Sequence, residues 1–147
     1  MMKLLAQNKK VKHDYHILET YECGIELRGT EIKSIRQGKF SINESYVTIS
    51  KDFQMYIINM HISKYDHGNI FNHDEKRKKR LLVHKHTIEK LAQKIQLEGL
   101  TLVPKSVYLK GGYCKIEVVL AKGKKLYDKR QAKKREDANK RIQKALY

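Results

Sequence analysis

The chain has 147 residues, of which 33% are charged, and its 32 Lys and Arg residues against 16 Asp and Glu residues give a net charge of +16. This length suits a single domain, and such a cationic surface calls for a polyanion as partner. Nucleic acid is favoured over a membrane, because Trp is absent and neither an amphipathic basic segment nor a membrane-spanning apolar run occurs.

The N-terminal segment, residues 1–13, has no apolar periodicity and is predicted to be a flexible basic arm. Its apolar patch is too short for the core of a signal peptide, so we expect a cytoplasmic protein. Cys23 and Cys114 lie far apart and outside any CxxC arrangement, which favours two reduced, packed thiols over a disulfide or a metal site.

The next residues alternate between apolar and polar side chains. This period of two over Tyr15 to Leu27 predicts a half-buried hairpin. A short helix should follow, capped by Thr30, with Ile32 and Ile35 inward and Gly38 as its left-handed stop. Two strands, Ser45 to Ser50 and Gln54 to Ile62, then form a second predicted hairpin.

A long surface loop is predicted from Ser63 to Arg80, because this segment is rich in His, Asn, Lys and Arg and almost lacks aliphatic residues. Apolar residues at spacings of three and four predict a helix from Thr87 to Leu97, ended by Gly99. The final strands should run from Leu100 to Lys110 and from Tyr113 to Ala121 around a tight Gly111-Gly112 turn, with Pro104 at an edge or bulge.

These elements predict a mainly β protein with short helices, organised as a six-stranded antiparallel OB-like barrel over residues 14–122. A basic C-terminal tail over residues 123–147 should follow. Residues 122–147 contain 11 Lys and Arg residues against three acidic ones, a net charge of +8. The thin apolar line of this segment cannot offset like-charge repulsion and ordering entropy, so we expect the tail to be disordered when free and helical when bound to RNA.

Several residues fit either a functional role or an ordinary structural one. The amide side chains of Asn69 and Asn72 and the ring of Phe71 precede five consecutive cations, Lys76 to Arg80. This combination suits RNA contact, although a solvated turn followed by a run of charges would give the same sequence pattern. Glu31 either interacts with the helix dipole or accepts hydrogen bonds from guanine or cytosine edges. A nuclease using His61 or His84 with Glu31 remains an alternative. No metal-ligand set, P-loop or cofactor motif occurs, and we expect no enzyme activity.

Five motifs in order resemble the SmpB family, the SsrA-binding proteins that are partners of transfer-messenger RNA. They are GTEIKSIR from Gly29, Gly68-Asn69 followed by Asn72-His73-Asp74, TLVP from Thr101, AKGKK from Ala121 and YDKR from Tyr127. The resemblance runs from about Asn8 into the tail.

The resemblance implies a non-catalytic adaptor for ribosome rescue by trans-translation. Such a protein binds the tRNA-like part of transfer-messenger RNA and delivers it, with elongation factor Tu, to stalled ribosomes. The implied RNA-binding residues are Glu31, Lys33, Arg36, Asn69, Asn72, His73, Arg77, Arg80, His84 and Lys85, extended by Lys122, Lys124 and Lys125. In the tail, the resemblance assigns the decoding centre and empty message channel to Tyr127, Asp128, Lys129, Arg130, Lys133, Lys134 and Arg135. A ribosomal or RNA-chaperone protein with general RNA affinity is the alternative.

Overall fold

The computed structural model describes residues 2–65 and 73–123. Over these residues the chain forms nine strands and three helices. In chain order they are β1 (Met2–Gln7), α1 (Lys10–Asp14), β2 (Tyr15–Ile25), α2 (Gly29–Arg36), β3 (Phe40–Ser41), β4 (Tyr46–Ile49), β5 (Met55–Ile58), β6 (His61–Ile62), β7 (Lys79–Leu82), α3 (Lys85–Glu98), β8 (Thr101–Lys110) and β9 (Tyr113–Gly123). The prediction of a mainly β protein with short helices is confirmed.

Seven strands form one antiparallel sheet in the order β1-β8-β4-β5-β7-β2-β9, and β8 also pairs with β9. Six strands, β8, β4, β5, β7, β2 and β9, are therefore linked in a ring of hydrogen-bonded neighbours. Strand β8 is long enough for three partners: Leu102 pairs with Val47 of β4, whereas the stretch from Ser106 to Lys110 pairs with β1. β3 and β6 pair separately.

The N-terminal residues differ from the predicted flexible arm. β1 pairs with β8, and Leu5 and Ala6 pack against the main core. Helix α1 follows, and its buried Val11 packs on Val103, Val119 and Ala121. Because β8 lies about a hundred residues further along the chain, no local periodicity could reveal this pairing.

The alternating segment after α1 is one strand rather than a hairpin. β2 pairs with β9 from Tyr15 to Gly24, and its last residues, Gly24 and Ile25, pair with β7. The predicted period of two is correct, since the exposed and less exposed residues alternate along the strand. The prediction of a turn inside it was wrong, because both partners of β2 come from distant parts of the chain.

Two hairpins agree with the sequence. β4 and β5 pair around residues 50–54, but the second strand ends at Ile58, because Asn59 has a positive φ of 62° and His61–Ile62 pairs with β3 instead. β8 and β9 flank Gly111 and Gly112, whose φ values of 58° and 83° suit the tight turn that only glycine adopts without strain. A register shift between Pro104 and Ser106 places a bulge or irregularity next to Pro104, which agrees with one of its two predicted positions, a strand edge or a bulge.

Helix α3 covers one end of the core with the predicted stripe. Ile88 and Leu91 are buried, Ile95 packs against the core cluster, and Gly99 ends the helix in the left-handed conformation. The predicted loop from Ser63 to Arg80 is shorter than expected, since β7 begins at Lys79; residues 66–72 lie outside the described part. No helix in the described ranges combines the length and apolar character needed to cross a membrane.

Candidate nucleic-acid interface

A surface cleft lies where β2, β7, β9 and the start of α3 meet. Its volume is about 490 Å³. The side chains at this cleft combine two cations, an imidazole, an acid, an amide, a phenol and an aliphatic group: Arg80, Lys115, His84, Glu22, Gln54, Tyr21 and Leu82. Two predicted RNA-binding residues, Arg80 and His84, therefore meet here, and the exposed Lys85 follows directly at the first residue of α3.

A strand glycine, Gly24, lies in the middle of this surface and lines both the cleft and its neighbouring groove. Gly24 pairs with Leu82 on one side and with Lys115 on the other, so these three residues form a row across the sheet. A Cβ atom on Gly24 would lie 3.2 Å from the Cβ atom of Leu82. Glycine inside a strand often marks a place where another molecule approaches the backbone closely. Any larger residue at Gly24 would therefore crowd Leu82, which is itself 47% exposed.

A second groove of about 280 Å³ continues from this row towards the β8–β9 turn. It shares Gly24, Leu82 and Lys115 with the first cleft and ends at Tyr113, which is 73% exposed. Exposed aromatic and aliphatic side chains accept the faces of unstacked bases, while nearby cations bind phosphates. The two clefts together can therefore hold a single-stranded or looped segment of nucleic acid.

Helix α2 carries two of the predicted cations, and one of them, Arg36, lies at the edge of this region. Arg36 is exposed, and its Nη2 atom donates a 3.4 Å hydrogen bond to the carbonyl of Gly112, beside Tyr113. Lys33 is also exposed, with its ammonium group 5.3 Å from the centre of the Tyr65 ring. Arg36 thus joins the Tyr113 end of the groove.

Glu22 introduces a negative charge into the cleft. Its carboxylate accepts hydrogen bonds from the Tyr108 hydroxyl and, at 3.3 Å, from the Lys110 ammonium group. The Tyr108 hydrogen bond, aided by Lys110, holds the pKa of Glu22 below its ordinary value, whereas burial and the Glu22 hydrogen bond raise the pKa of Tyr108. An ionised carboxylate at this position can accept hydrogen bonds from base amino groups.

Of the two interpretations of Glu31, the structure supports the one at the helix start, since Glu31 lies in the first turn of α2 and completes a capping box with Arg28. It is fully buried, and its two oxygens accept hydrogen bonds from Arg77, at 2.6 Å from Nη2 and 3.1 Å from Nε. The backbone N–H of Arg28 donates a further 2.7 Å hydrogen bond to it. α2 begins at Gly29 rather than being capped by Thr30, so the third helical residue turns its carboxylate back onto the helix start.

His73 and Lys79 are also internal. His73 is 1% exposed, and its ring nitrogens lie 2.8 Å from the Thr30 hydroxyl and 2.9 Å from the carbonyl of Ile62. Lys79 is fully buried and donates to the carbonyls of Met60 and Arg77, at 2.9 and 2.6 Å. Burial lowers the pKa of Lys79 to about 8, although Glu31 opposes this change. These two groups connect the segment before β7 to α2 and β6.

The remaining predicted residues are divided between the β9 end and the undescribed part of the chain. Lys122 is exposed on β9 next to His16 of β2. Eleven residues lie outside the described ranges: Asn69, Asn72, Lys124, Lys125, Tyr127, Asp128, Lys129, Arg130, Lys133, Lys134 and Arg135.

Sequence reasoning missed Glu22, Gly24, Leu82, Tyr113 and Lys115. Two local signals could have found part of this set. Gly24 stands inside a strongly alternating strand, and Tyr113 follows a Gly-Gly turn directly, so it had to lie at a hairpin tip. The other three could not be grouped, because strand pairing alone brings them together.

The alternative of a nuclease gains no geometric support. Glu31 contacts Arg77 and Arg28, His61 contacts Glu75 at 2.9 Å, and His84 lies at the cleft. Within residues 2–65 and 73–123, no group of three or more His, Cys, Asp and Glu side chains is arranged to hold a metal ion.

Comparison with known proteins gives consistent matches. The family model described as "SmpB protein" matches residues 5–147. An SsrA-binding protein of Carboxydothermus hydrogenoformans is 52% identical over 146 residues, which is 99% of this chain and 97% of the relative. An SsrA-binding protein of Caldanaerobacter subterraneus is 50% identical, over 97% of this chain and 90% of the relative.

A solved structure is also similar. A chain from work described as "tmRNA-SmpB: a journey to the center of the bacterial ribosome" aligns with a TM-score of 0.66 and 44% identity. The alignment covers 81% of this chain and 83% of that chain.

Proposed function

Because this chain belongs to the SmpB protein family, we propose that it is an RNA-binding adaptor of ribosome rescue, which binds transfer-messenger RNA and acts with it on the ribosome. Its relatives over nearly the whole length are SsrA-binding proteins, and the similar solved chain comes from work on the bacterial ribosome. The net charge of +16 suits both RNA partners.

The ring of six strands is best understood as an OB-like barrel with β1 added at its side. In such barrels one strand face and the adjoining loops bind oligonucleotides. Here the corresponding surface is the pair of clefts around Leu82, Gly24 and Lys115, which is the observation that carries the assignment of the RNA site.

Within this surface we assign different tasks to different side chains. Arg36, Arg80, Lys85 and Lys115 bind phosphates, Tyr113 and Leu82 support unstacked bases, and Glu22 contributes selectivity. The RNA partner is the tRNA-like part of transfer-messenger RNA, in which looped, unpaired bases are available for such contacts.

The C-terminal tail has a separate task in this proposal. Residues 123–147 approach the decoding centre and message channel through Tyr127 to Arg130 and Lys133 to Arg135, and elongation factor Tu accompanies the charged RNA. The charge of +8 over residues 122–147 supports binding to the RNA-lined channel. This work takes place where ribosomes are, in the cytoplasm, and it requires no catalysis by the chain.

Direct competition between RNAs tests the proposal. The full-length protein should prefer the tRNA-like part of transfer-messenger RNA over unstructured RNA of equal length, and it should retain this preference at raised salt, where purely electrostatic binding weakens steeply. Sequencing of the RNA that copurifies from cell extract should find transfer-messenger RNA enriched. Equal affinity for both RNAs would favour a general RNA-chaperone protein instead, and shortened RNA after incubation would indicate a nuclease.

A further inference from the structure

Five consecutive cations, Lys76 to Arg80, precede and enter β7, but they do not share one environment. Lys76 and Lys78 are exposed, whereas Lys79 is fully buried and the Arg77 side chain is only 22% exposed. The two inward cations bind protein atoms, so they are not equivalent to the outward ones as RNA contacts.

Arg77 is held mainly by Glu31, with which it makes a two-point ion pair across the interface of α2 and the segment before β7. Burial tends to raise the pKa of Glu31, but the Arg77 guanidinium and the Arg28 amide hold it below the ordinary value. Two-point pairs between a guanidinium and a carboxylate fix orientation as well as distance. The buried carboxylate is therefore ionised, and it accepts three hydrogen bonds from protein donors.

Besides Glu31, the Arg77 side chain binds backbone carbonyl groups in two segments of the chain. Its Nη2 atom donates to the carbonyl of Glu26 at 3.3 Å and its Nη1 atom to the carbonyl of Lys78 at 3.2 Å, while its own carbonyl accepts from Lys79. The backbone of residues 77–79 is thus tied to the end of β2 and to α2.

Of the outward cations on this backbone, Arg80 lies at the proposed RNA surface, and Lys78 precedes it by two residues, so that the two side chains face the same side of the chain. Arg80 lines the cleft and donates to Gln54 and Glu26, each at 3.2 Å, and the Lys78 ammonium group lies 4.2 Å from the centre of the Tyr56 ring. Their directions depend on the path of the chain through Arg77.

We propose that Glu31 is a positioning residue for RNA recognition: it does not touch RNA, but fixes Arg77 and thereby the backbone from which Lys78 and Arg80 reach the RNA. This inference rests on the proposed function, since it specifies how that binding surface is organised. It replaces the expectation that Glu31 reads base edges directly.

A double-mutant cycle with Glu31→Gln and Arg77→Gln separates the two roles. Each single variant should bind the tRNA-like RNA about tenfold more weakly. Affinity for unstructured RNA should stay the same or rise in Glu31→Gln, which removes a negative charge, and should fall only slightly in Arg77→Gln, which removes one positive charge of many. The double variant should bind no more weakly than the poorer single variant, because both substitutions disrupt the same pair. If the double variant instead lost affinity by the product of the two single losses, Glu31 and Arg77 would be independent RNA contacts, and the proposal would be overturned.

Glu44→Gln is the matched control, because Glu44 is exposed and its replacement changes the net charge equally. This variant should leave the preference between the two RNAs unchanged. Thermal unfolding of every variant, followed by circular dichroism, identifies those that are folded at the assay temperature.

A measurement on the unmodified protein covers the case in which a variant fails to fold. On addition of the tRNA-like RNA, the carboxyl ¹³C resonance of Glu31 should remain in place, while the side-chain resonances of Lys78 and Arg80 move. Movement of the Glu31 resonance together with theirs would contradict the positioning role. The proposed function is judged separately, since its failure would appear as a lack of RNA preference in the wild-type titration.

Discussion

Two neighbouring side chains of the same type can have opposite roles, because successive side chains of an extended segment point to opposite faces of the sheet. Lys78 and Lys79 are neighbours of like charge, yet Lys78 is exposed and Lys79 lies inside, bonded to two backbone carbonyls. The alternation of side chains across a strand requires one of every two neighbours to face inward. Burial disfavours the charged form of an ammonium group, which explains the lowered pKa of about 8 for Lys79.

The first prediction concerns base stacking by Tyr113. Replacing Tyr113 with Ala should weaken binding of the tRNA-like RNA by about 5- to 150-fold, since stacking on an aromatic ring contributes ~1–3 kcal/mol per base. Tyr113→Phe should retain most of the affinity because the ring remains. The salt dependence of binding should not change, since no phosphate contact is lost.

Tyr46 provides the control for this titration, because it is likewise a partly exposed tyrosine on a strand and lies on β4, outside both clefts. Filter-binding or fluorescence titrations at several salt concentrations measure both variants. Equal losses of RNA affinity in Tyr46→Ala and Tyr113→Ala would show that Tyr113 has no special role in base stacking.

The second prediction concerns the pH dependence of stability caused by Lys79. Between about pH 8 and pH 10.5 the folded protein has lost the Lys79 proton, but the unfolded chain still holds it. At Lys79 the unfolded state therefore binds more protons, and the contribution of this group to the free energy of unfolding rises with pH over this interval, by roughly 1–3 kcal/mol. The raised pKa values of the buried and half-buried thiols and phenols act in the opposite direction, so the rise is measured as the difference in free energy of unfolding between the wild type and a variant without Lys79.

Urea denaturation at a series of pH values compares the wild type with Lys79→Met for this purpose. The variant is less stable overall, because two buried carbonyls lose their donor, but it should lack this rise. An identical dependence on pH in both proteins would show that Lys79 makes no such contribution, since these Tyr and Cys groups lower the free energy of unfolding with pH equally in both.

Among the elements, β1 shows how a strand can depend on a distant partner. Its sequence has no clear alternation, and only its pairing with β8 and the packing of Leu5 and Ala6 stabilise it. By contrast, α3 and the β8–β9 turn are specified by local residues: an apolar stripe, a left-handed Gly99 and two glycines with positive φ. Local elements of this kind could be predicted closely, and elements like β1 could not.

The third prediction tests whether residues 2–7 form part of the fold. Their deletion should lower the free energy of unfolding by roughly 1–3 kcal/mol, since apolar surface of Leu5, Ala6 and the core beneath them becomes exposed. Leu4→Ser is a suitable control, because Leu4 is 54% exposed and surface changes usually stay within about 0.5 kcal/mol. Urea denaturation without any effect of the deletion would support the flexible arm.

At the scale of the whole molecule, positive charge is divided between the described domain and the tail. Residues 122–147 contribute +8 to a total of +16. The candidate RNA surface lies on the domain, so RNA docking and ribosome engagement can be separate tasks of separate segments.

The fourth prediction tests this separation. Truncation after Lys125 should leave the affinity for the tRNA-like RNA largely intact but abolish ribosome rescue, measured as release of stalled ribosomes in a reconstituted translation reaction. The surface around Leu82 remains complete in this variant. If the truncation removed RNA binding as well, docking and ribosome engagement would share the tail.

The sequence by itself determined the period of β2, the helix ended by Gly99, the Gly111-Gly112 hairpin, the cationic character and the family motifs. These features depend on neighbours within a few residues or on composition. Tertiary structure alone decided that Glu31 lies inside against Arg77, that β1 pairs with β8, and that Leu82, Gly24 and Lys115 form one row. These contacts join distant segments, and which pairs form is decided by how the whole chain buries its apolar surface and satisfies its buried charges.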